Sequence, residues 1–213
     1  MVDRDIDLIT FDIFGTVLNW FEGMRESVAR KGAQLDKETF DRVINYQGDI
    51  EQKQFATYTE VTAKSLTEIL GMNSVLAAEI GAHVGEWPLF PDSIDALHAL
   101  MKIAPCAAMT NSDRVHGEQV QRQLGFNLSH WFCAEDVRVY KPNPEFWQIV
   151  SQKTKTPFSK KWCHVSAHAD YDLKVAGQLG LTTVFVERNH SRPGTADIVV
   201  KDLLGLEVLF RTK

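Results

Sequence analysis

A small set of residues, scattered along the chain, has the types and settings to share one piece of chemistry. Asp12 ends an apolar run in DLITFDIFGTVLNW, and Gly15-Thr16 follow almost at once. A carboxylate so placed can attack an electrophilic centre and form a covalent ester-like or anhydride-like intermediate. The competing reading is an ordinary strand-end or cap aspartate. Thr16 suits steadying the turn, or bonding the nucleophile through its hydroxyl or amide, and Gly15 lets the backbone come close because it has no Cβ. Thr110 closes an apolar run and is followed by Asn111 and Ser112; Lys141 stands in VYKPNPEFW; Ser166 closes WCHVS, and AHADYD runs on to Asp172.

These groups can meet only if the elements before them end at one edge. Apolar runs bounded by turn residues predict strands at 7–11, 106–110, 131–133, 162–166 and 182–186, with a short one at 197–200. Helical stretches near 92–102, 114–124, 144–154 and 170–179 alternate with them. Such alternation predicts an α/β fold: a parallel sheet with helices on both faces. The punctuation agrees. Asp92 reads as an N-cap after Pro91 with Asp95 three residues on, Pro144 as a first-turn proline, and Gly125 and Gly180 as C-terminal stops. In a parallel sheet ligands bind at the carboxyl ends of the strands, where Asp12, Thr110, Lys141 and Ser166 all fall.

The stretch 19–87 is different. It has helical segments near 20–31, 36–48, 57–71 and 74–86 and no convincing strand, which predicts a helical lobe inserted after the first strand. Trp87-Pro88-Leu89-Phe90-Pro91 would be the return crossing. A lobe leaving just after Asp12 covers the strand ends and can exclude water from them. The expected division is a core of 1–18 and 88–213 and a cap of 19–87.

Composition narrows the classes. The chain has 213 residues, is 44% hydrophobic and carries a formal charge of -5. That suffices for a packed core, and without a basic stripe nucleic acid is not an expected partner. No apolar run approaches the ~20 residues of a membrane helix. MVDRDIDL carries acids where an export signal would be basic and then apolar, so a cytoplasmic location is expected. Cys106, Cys133 and Cys163 lie far apart with no CxxC pair, which favours reduced buried thiols over a zinc site.

With these residues in place, the chain resembles the haloacid dehalogenase superfamily over nearly its whole length. The motifs are FDIFGTV, MTNS, KPNPEF and DYDLKVAGQLGL. The resemblance implies a Rossmann-like core with a helical cap, and Asp12 as nucleophile. Phosphatases of the superfamily carry a second acid two residues after the nucleophile, to protonate a departing alkoxide. Here that residue is Phe14, and halide is so weak a base that it leaves without a proton. The usual Gly-Asp that helps hold magnesium in the fourth motif reads Ser166-Ala167. The resemblance is therefore to the L-2-haloacid dehalogenase branch, which implies no metal and no cofactor. Lys141 would keep Asp12 ionised. Thr110 and Asn111 could hold the substrate carboxylate or the leaving halide. Ser166 could bond Lys141 or Asp12, and Asp172 could orient Lys141 or position the hydrolytic water. The competing readings are a solvated loop lysine for Lys141 and a helix N-terminal acid for Asp172.

Departures from the pattern fall in the cap and around the lysine. The family's halide-binding arginine has Arg42 as its nearest candidate, although Glu38 four residues earlier offers a surface ion pair instead; Arg25 is a weaker substitute. A family tyrosine after the lysine is Phe146-Trp147, which keeps aromatic bulk at Trp147 without the hydroxyl. An asparagine of the fourth motif is His168, a pocket residue or an exposed loop histidine, and Tyr171 is open in the same way. Trp20 fits hinge packing or the pocket wall.

Three functions are consistent with these residues. One is a metal-independent hydrolysis of a small 2-haloalkanoic acid to a 2-hydroxy acid and halide. Another is a magnesium-dependent phosphatase on a small phosphate ester, with Asp12 and Asp172 holding the ion. The third is a binding protein of this fold with weak turnover. A homodimer is expected only from the resemblance.

Overall fold

The computed structural model describes residues 5–211. Six strands form one sheet: β1 (Leu8–Phe11), β2 (Cys106–Thr110), β3 (His130–Cys133), β4 (Trp162–Ser166), β5 (Thr182–Val186) and β6 (Ile198–Val200). All neighbours run parallel in the order β3-β2-β1-β4-β5-β6. Residues of β1, β2, β4 and β5 are buried on both faces, as their unbroken apolar runs require. The connections from β1 turn one way, to β2 and β3, and β4 lies on its other side. The crevice at this reversal is where an open α/β sheet binds its ligands, and Asp12 is the residue immediately beyond β1.

The inserted lobe is all helical: α1 (Trp20–Arg30), α2 (Lys37–Glu51), α3 (Tyr58–Leu70) and α4 (Ser74–Ala82), with a 3-10 turn at Val84–Glu86. Their starts are chemically marked. Asp36 accepts the Thr39 amide at 2.8 Å, and Thr57 and Glu60 close a reciprocal capping box. The helix expected at 36–48 runs on to Glu51, three residues farther, which matters below. The chain enters and leaves the lobe side by side: the Asn19 amide donates to the Pro88 carbonyl at 2.7 Å, and Phe90 N to Val17 O at 3.0 Å. A second tie crosses from the core. Asp113 accepts the Tyr58 and Thr59 amides, at 2.7 and 2.9 Å, so a core carboxylate satisfies two free N–H groups at the start of α3. One apolar cluster runs from Ile9 and Phe11 through Phe14 and Val17 to Phe40, Val43 and Leu66 in the lobe.

The remaining helices are α5 (Ser93–Leu100), α6 (Arg114–Leu124), α7 (Ala134–Val137), α8 (Pro144–Thr154), α9 (Lys174–Gln178) and α10 (Leu203–Arg211). Neither α7 nor α10 was foreseen. Pro144 opens α8, and Gly125 ends α6 in the left-handed conformation. Asp92 stands at the N-cap position of α5, but its side chain makes no cap bond there. Its carboxylate takes two bonds from Arg188, both 2.9 Å, and the Leu203 amide at 2.7 Å, so it is spent on joining β5's exit to α10. The helix expected at 170–179 opens as a π-helix, Ala169–Leu173, before α9. Such a local widening places extra residues at the start of a helix, here Tyr171 and Asp172. The three cysteines are free and buried; burial pushes the Cys106 and Cys133 thiols up to about 12. Among the described residues no helix is long and apolar enough to cross a membrane.

Candidate active site

Asp12 sits in a tight turn at the end of β1. Its backbone N donates to Val165 O of β4 at 3.0 Å, and the amides of Val17 and Leu18 both return to Ile13 O at 2.9 Å. Gly15 has φ +94, and a Cβ there would stand 2.8 Å from His168 Nε2, so both the conformation and the space call for glycine. Thr16 Oγ1 donates to Asp12 Oδ2 at 2.8 Å and accepts the Ala167 amide at 2.9 Å. One hydroxyl therefore orients the carboxylate and ties the end of β1 to the end of β4.

The Lys141 side chain is buried. Its Nζ donates to Asp12 Oδ1 at 2.9 Å and to Asp172 Oδ2 at 2.7 Å. The backbone that carries it is held by its own N–H, which donates to Asn111 Oδ1 at 2.7 Å. Burial opposes the ammonium charge, but the attraction of Asp12 and Asp172 outweighs it and raises the Lys141 pKa. Burial opposes the Asp172 charge too; Lys141 and His164 overcome it and hold the carboxyl well below the usual carboxylate range. Ser166 Oγ donates to Asp172 Oδ2 at 3.1 Å. Beneath them His164 Nε2 lies 3.7 Å from Asp172 Oδ2, and its Nδ1 meets Thr10 Oγ1 at 2.8 Å. His164 escaped the sequence reading because mid-strand histidines carry no local signal.

Above this cluster is a cavity of about 360 Å³, within the range of small-molecule sites. Asp12, Phe14, Thr110, Asn111, Lys141 and His168 all line it, as do Trp20 and Tyr171. Phe14 belongs to an aromatic wall, with its ring 5.4 Å from Tyr58 and 6.3 Å from Trp87.

Two expected residues lie elsewhere. Arg42 is exposed on α2 and does not line the cavity, and among the described residues it forms no ion pair with Glu38. A helix shows each side chain to one direction, and the residues of α2 that line the cavity are Ile44, Asn45, Gln47, Gly48, Asp49 and Glu51. Trp147 is fully buried in the core, its ring edge-on to His164 at 5.6 Å, and does not reach the cavity. The arginine at the cavity is instead Arg192, from the loop between β5 and β6, whose Nη2 donates to Asn45 Oδ1 of α2 at 2.8 Å. That loop is pinned to the end of β4 by Arg192 N to Ala167 O and Ala169 N to Arg192 O, both 2.8 Å. Arg192 was findable: it too follows a strand's carboxyl end, although ERNHSRPG has no motif to mark it. Glu51 was missed because α2 was expected to stop before it.

The donor set does not suit a divalent cation. The Lys141 ammonium already lies between Asp12 and Asp172, and Ala167 brings no side-chain oxygen. Among the described residues no group of three or more His, Cys, Asp or Glu converges as a metal site.

Known proteins agree with this architecture. An (S)-2-haloacid dehalogenase 4A of Burkholderia cepacia is 23% identical over 205 residues, covering 91% of this chain and 87% of that protein. The L-2-haloacid dehalogenase of Xanthobacter autotrophicus superposes with a TM-score of 0.83 at 16% identity, over 97% of this chain and 98% of the other. A Bacillus subtilis protein of the same fold, with magnesium bound, gives 0.79 at 16% identity over 97% and 99%, so the fold alone does not single out one chemistry. The model of the haloacid dehalogenase-like hydrolases matches residues 6–180. The chain is a hydrolase-fold protein that belongs to the haloacid dehalogenase-like hydrolase family.

Proposed function

We propose that this protein is a metal-independent 2-haloacid dehalogenase. An Asp12 oxygen attacks C2 of a small 2-haloalkanoic acid from the side opposite the halogen. The C–O bond forms as the carbon–halogen bond breaks, and halide departs with the bonding pair. Water then adds to the Asp12 carbonyl carbon of the ester. The C2 oxygen leaves with a proton as the 2-hydroxy acid, the second proton goes to solvent, and Asp12 is restored as a carboxylate. Lys141 holds the Asp12 carboxylate by a direct hydrogen bond, Asp172 holds Lys141, Ser166 holds Asp172, and Thr16 fixes the rotation of the Asp12 carboxylate. Arg192 takes the part first given to Arg42, as a cation facing the halide or the substrate carboxylate. The cavity's Phe14 wall lowers the local dielectric and shields the ester from bulk water.

The observation that carries this reading is the Lys141–Asp12 pair in a cavity whose residue two places after the nucleophile is Phe14. A site so built has an activated oxygen nucleophile and no acid there for a basic leaving group, which suits halide. The dehalogenases among the similar proteins point the same way. Incubation with the enantiomers of 2-chloropropionate, with chelator present, is expected to release chloride from one enantiomer. A parallel reaction with p-nitrophenyl phosphate and magnesium is expected to stay silent. Metal-dependent phosphate release without chloride would select the phosphatase instead, and silence in both would leave a binding protein.

A further inference from the structure

Glu51, at the last turn of α2, puts a carboxyl group into the cavity that should receive an anion. Its Oε2 accepts Asn111 Nδ2 at 2.9 Å; the same nitrogen lies 3.0 Å from Lys141 O and 2.8 Å from Tyr171 Oη. Asn111 has only two amide hydrogens, and its oxygen is taken by the Lys141 N–H. It is therefore fully spent inside the protein and has nothing left for a substrate carboxylate. Glu51 is the group beside it with capacity to spare: among the described residues Asn111 is the only hydrogen-bond partner of its carboxyl group.

Resting on the reading above, we propose that Glu51 is a specificity-determining residue of this site: its carboxyl group donates a hydrogen bond to the substrate carboxylate, and ionised Glu51 excludes that substrate. An acid that donates to a carboxylate makes a short charge-assisted bond, whereas two carboxylates there repel. The groups that face Glu51 leave it protonated at neutral pH. Burial pushes its pKa up, against the Asn111 bond and the charge of Lys141, to about 8. Tyr58 from α3, Tyr140 beside Lys141, and Tyr171 from the π-helix all face Glu51, and their own hydroxyls are pushed upward, so they stay neutral. Lys141 is raised as well and stays charged. Asp12, Asp49, His168 and Arg192 complete the charged and titratable lining.

The test compares wild type with Glu51→Gln, which keeps a donor and cannot ionise, and with Glu51→Met, which has no donor. KM is measured for 2-chloropropionate and for uncharged 2-chloropropionamide from pH 7 to 9.5, and the affinity for unreactive propionate is measured by calorimetry over the same range. In wild type the haloacid KM and the propionate Kd are expected to rise about 30-fold, as a group titrating near 8 dictates. Glu51→Gln should hold both within about twofold, and the amide KM should stay flat in both proteins. Glu51→Met should bind propionate about tenfold more weakly than wild type at pH 7, again without pH dependence. Equal pH dependence in wild type and Glu51→Gln, or wild-type affinity in Glu51→Met at pH 7, overturns the proposal. If no haloacid is turned over, the dehalogenase reading falls and propionate binding alone decides: a pH-dependent loss confined to wild type upholds Glu51, and any other pattern, including no binding, rejects it.

Discussion

Lys141 Nζ lies 2.7 Å from Asp172 Oδ2, with both side chains sealed from solvent. The pair is useful because a third charge, Asp12, faces the same ammonium from the open side at 2.9 Å. Two carboxylates around one ammonium leave one negative charge, and the cavity side is where that charge can do nucleophilic work.

Asp12→Asn keeps the size of the side chain and removes its nucleophilicity. Turnover is expected to fall by about 10³-fold or more with the fold retained, since covalent catalysis has no substitute oxygen here. In a single turnover in heavy-oxygen water, mass spectrometry should find the label in the wild-type Asp12 carboxylate. Full activity in the variant would end the ester mechanism.

Lys141→Met strands two buried carboxylates and is expected to cost about 3–5 kcal/mol of stability. Adding Asp172→Asn removes one of them and should recover part of that loss while activity stays absent. Urea unfolding of the single and double variants measures the difference. Two additive losses would mean that the charges do not interact.

The pH dependence of stability follows from three shifts. Asp172, lowered, contributes stability above the ordinary aspartate range that is lost as pH falls below about 4. Lys141, raised, contributes stability that is lost only as pH rises beyond about 10.4. Glu51, raised, acts in the opposite sense to Asp172: its contribution is full below the ordinary glutamate value and declines as pH climbs to about 8. Thermal melts should therefore show Glu51→Gln gaining on wild type between pH 5 and 8. A constant difference across that window would mean that Glu51 ionises as it does in the unfolded chain.

Three substitutions separate the surface from the cavity and the core. Arg42→Ala should leave KM unchanged and stability within about 0.5 kcal/mol. Arg192→Ala should raise the haloacid KM about tenfold or more, because it removes the cavity's second cation, beside Lys141, and its bond to Asn45. Trp147→Ala should destabilise by about 3–5 kcal/mol through the space it leaves in the core. Steady-state kinetics and unfolding on the three variants check them together. A KM effect at Arg42 and none at Arg192 would restore the cap arginine.

The strands, the helical insertion and the convergence of Asp12, Thr16, Lys141, Ser166 and Asp172 were legible in the sequence alone. Each depends on a local rule: an apolar run must be a strand, and a parallel sheet must bring the ends of its strands to one edge. Asp92 shows where a local rule loses. Its sequence neighbours suit a cap, but Arg188, from far along the chain, offers a charge-assisted partner, and the tertiary contact wins.

What only the tertiary structure decided is which side chains look into the cavity. Arg42, Trp147, Arg192 and Glu51 could not be sorted by type or spacing. Facing depends on where a helix stops, how it rotates against its neighbours, and which loop folds over the site. Three residues more of α2 bring Glu51 to Asn111, while the helix rotation turns Arg42 to solvent. The candidate chemistry was written in residue types; the identity of the residues that face the cavity was set by packing, because only packing relates segments that the chain keeps far apart.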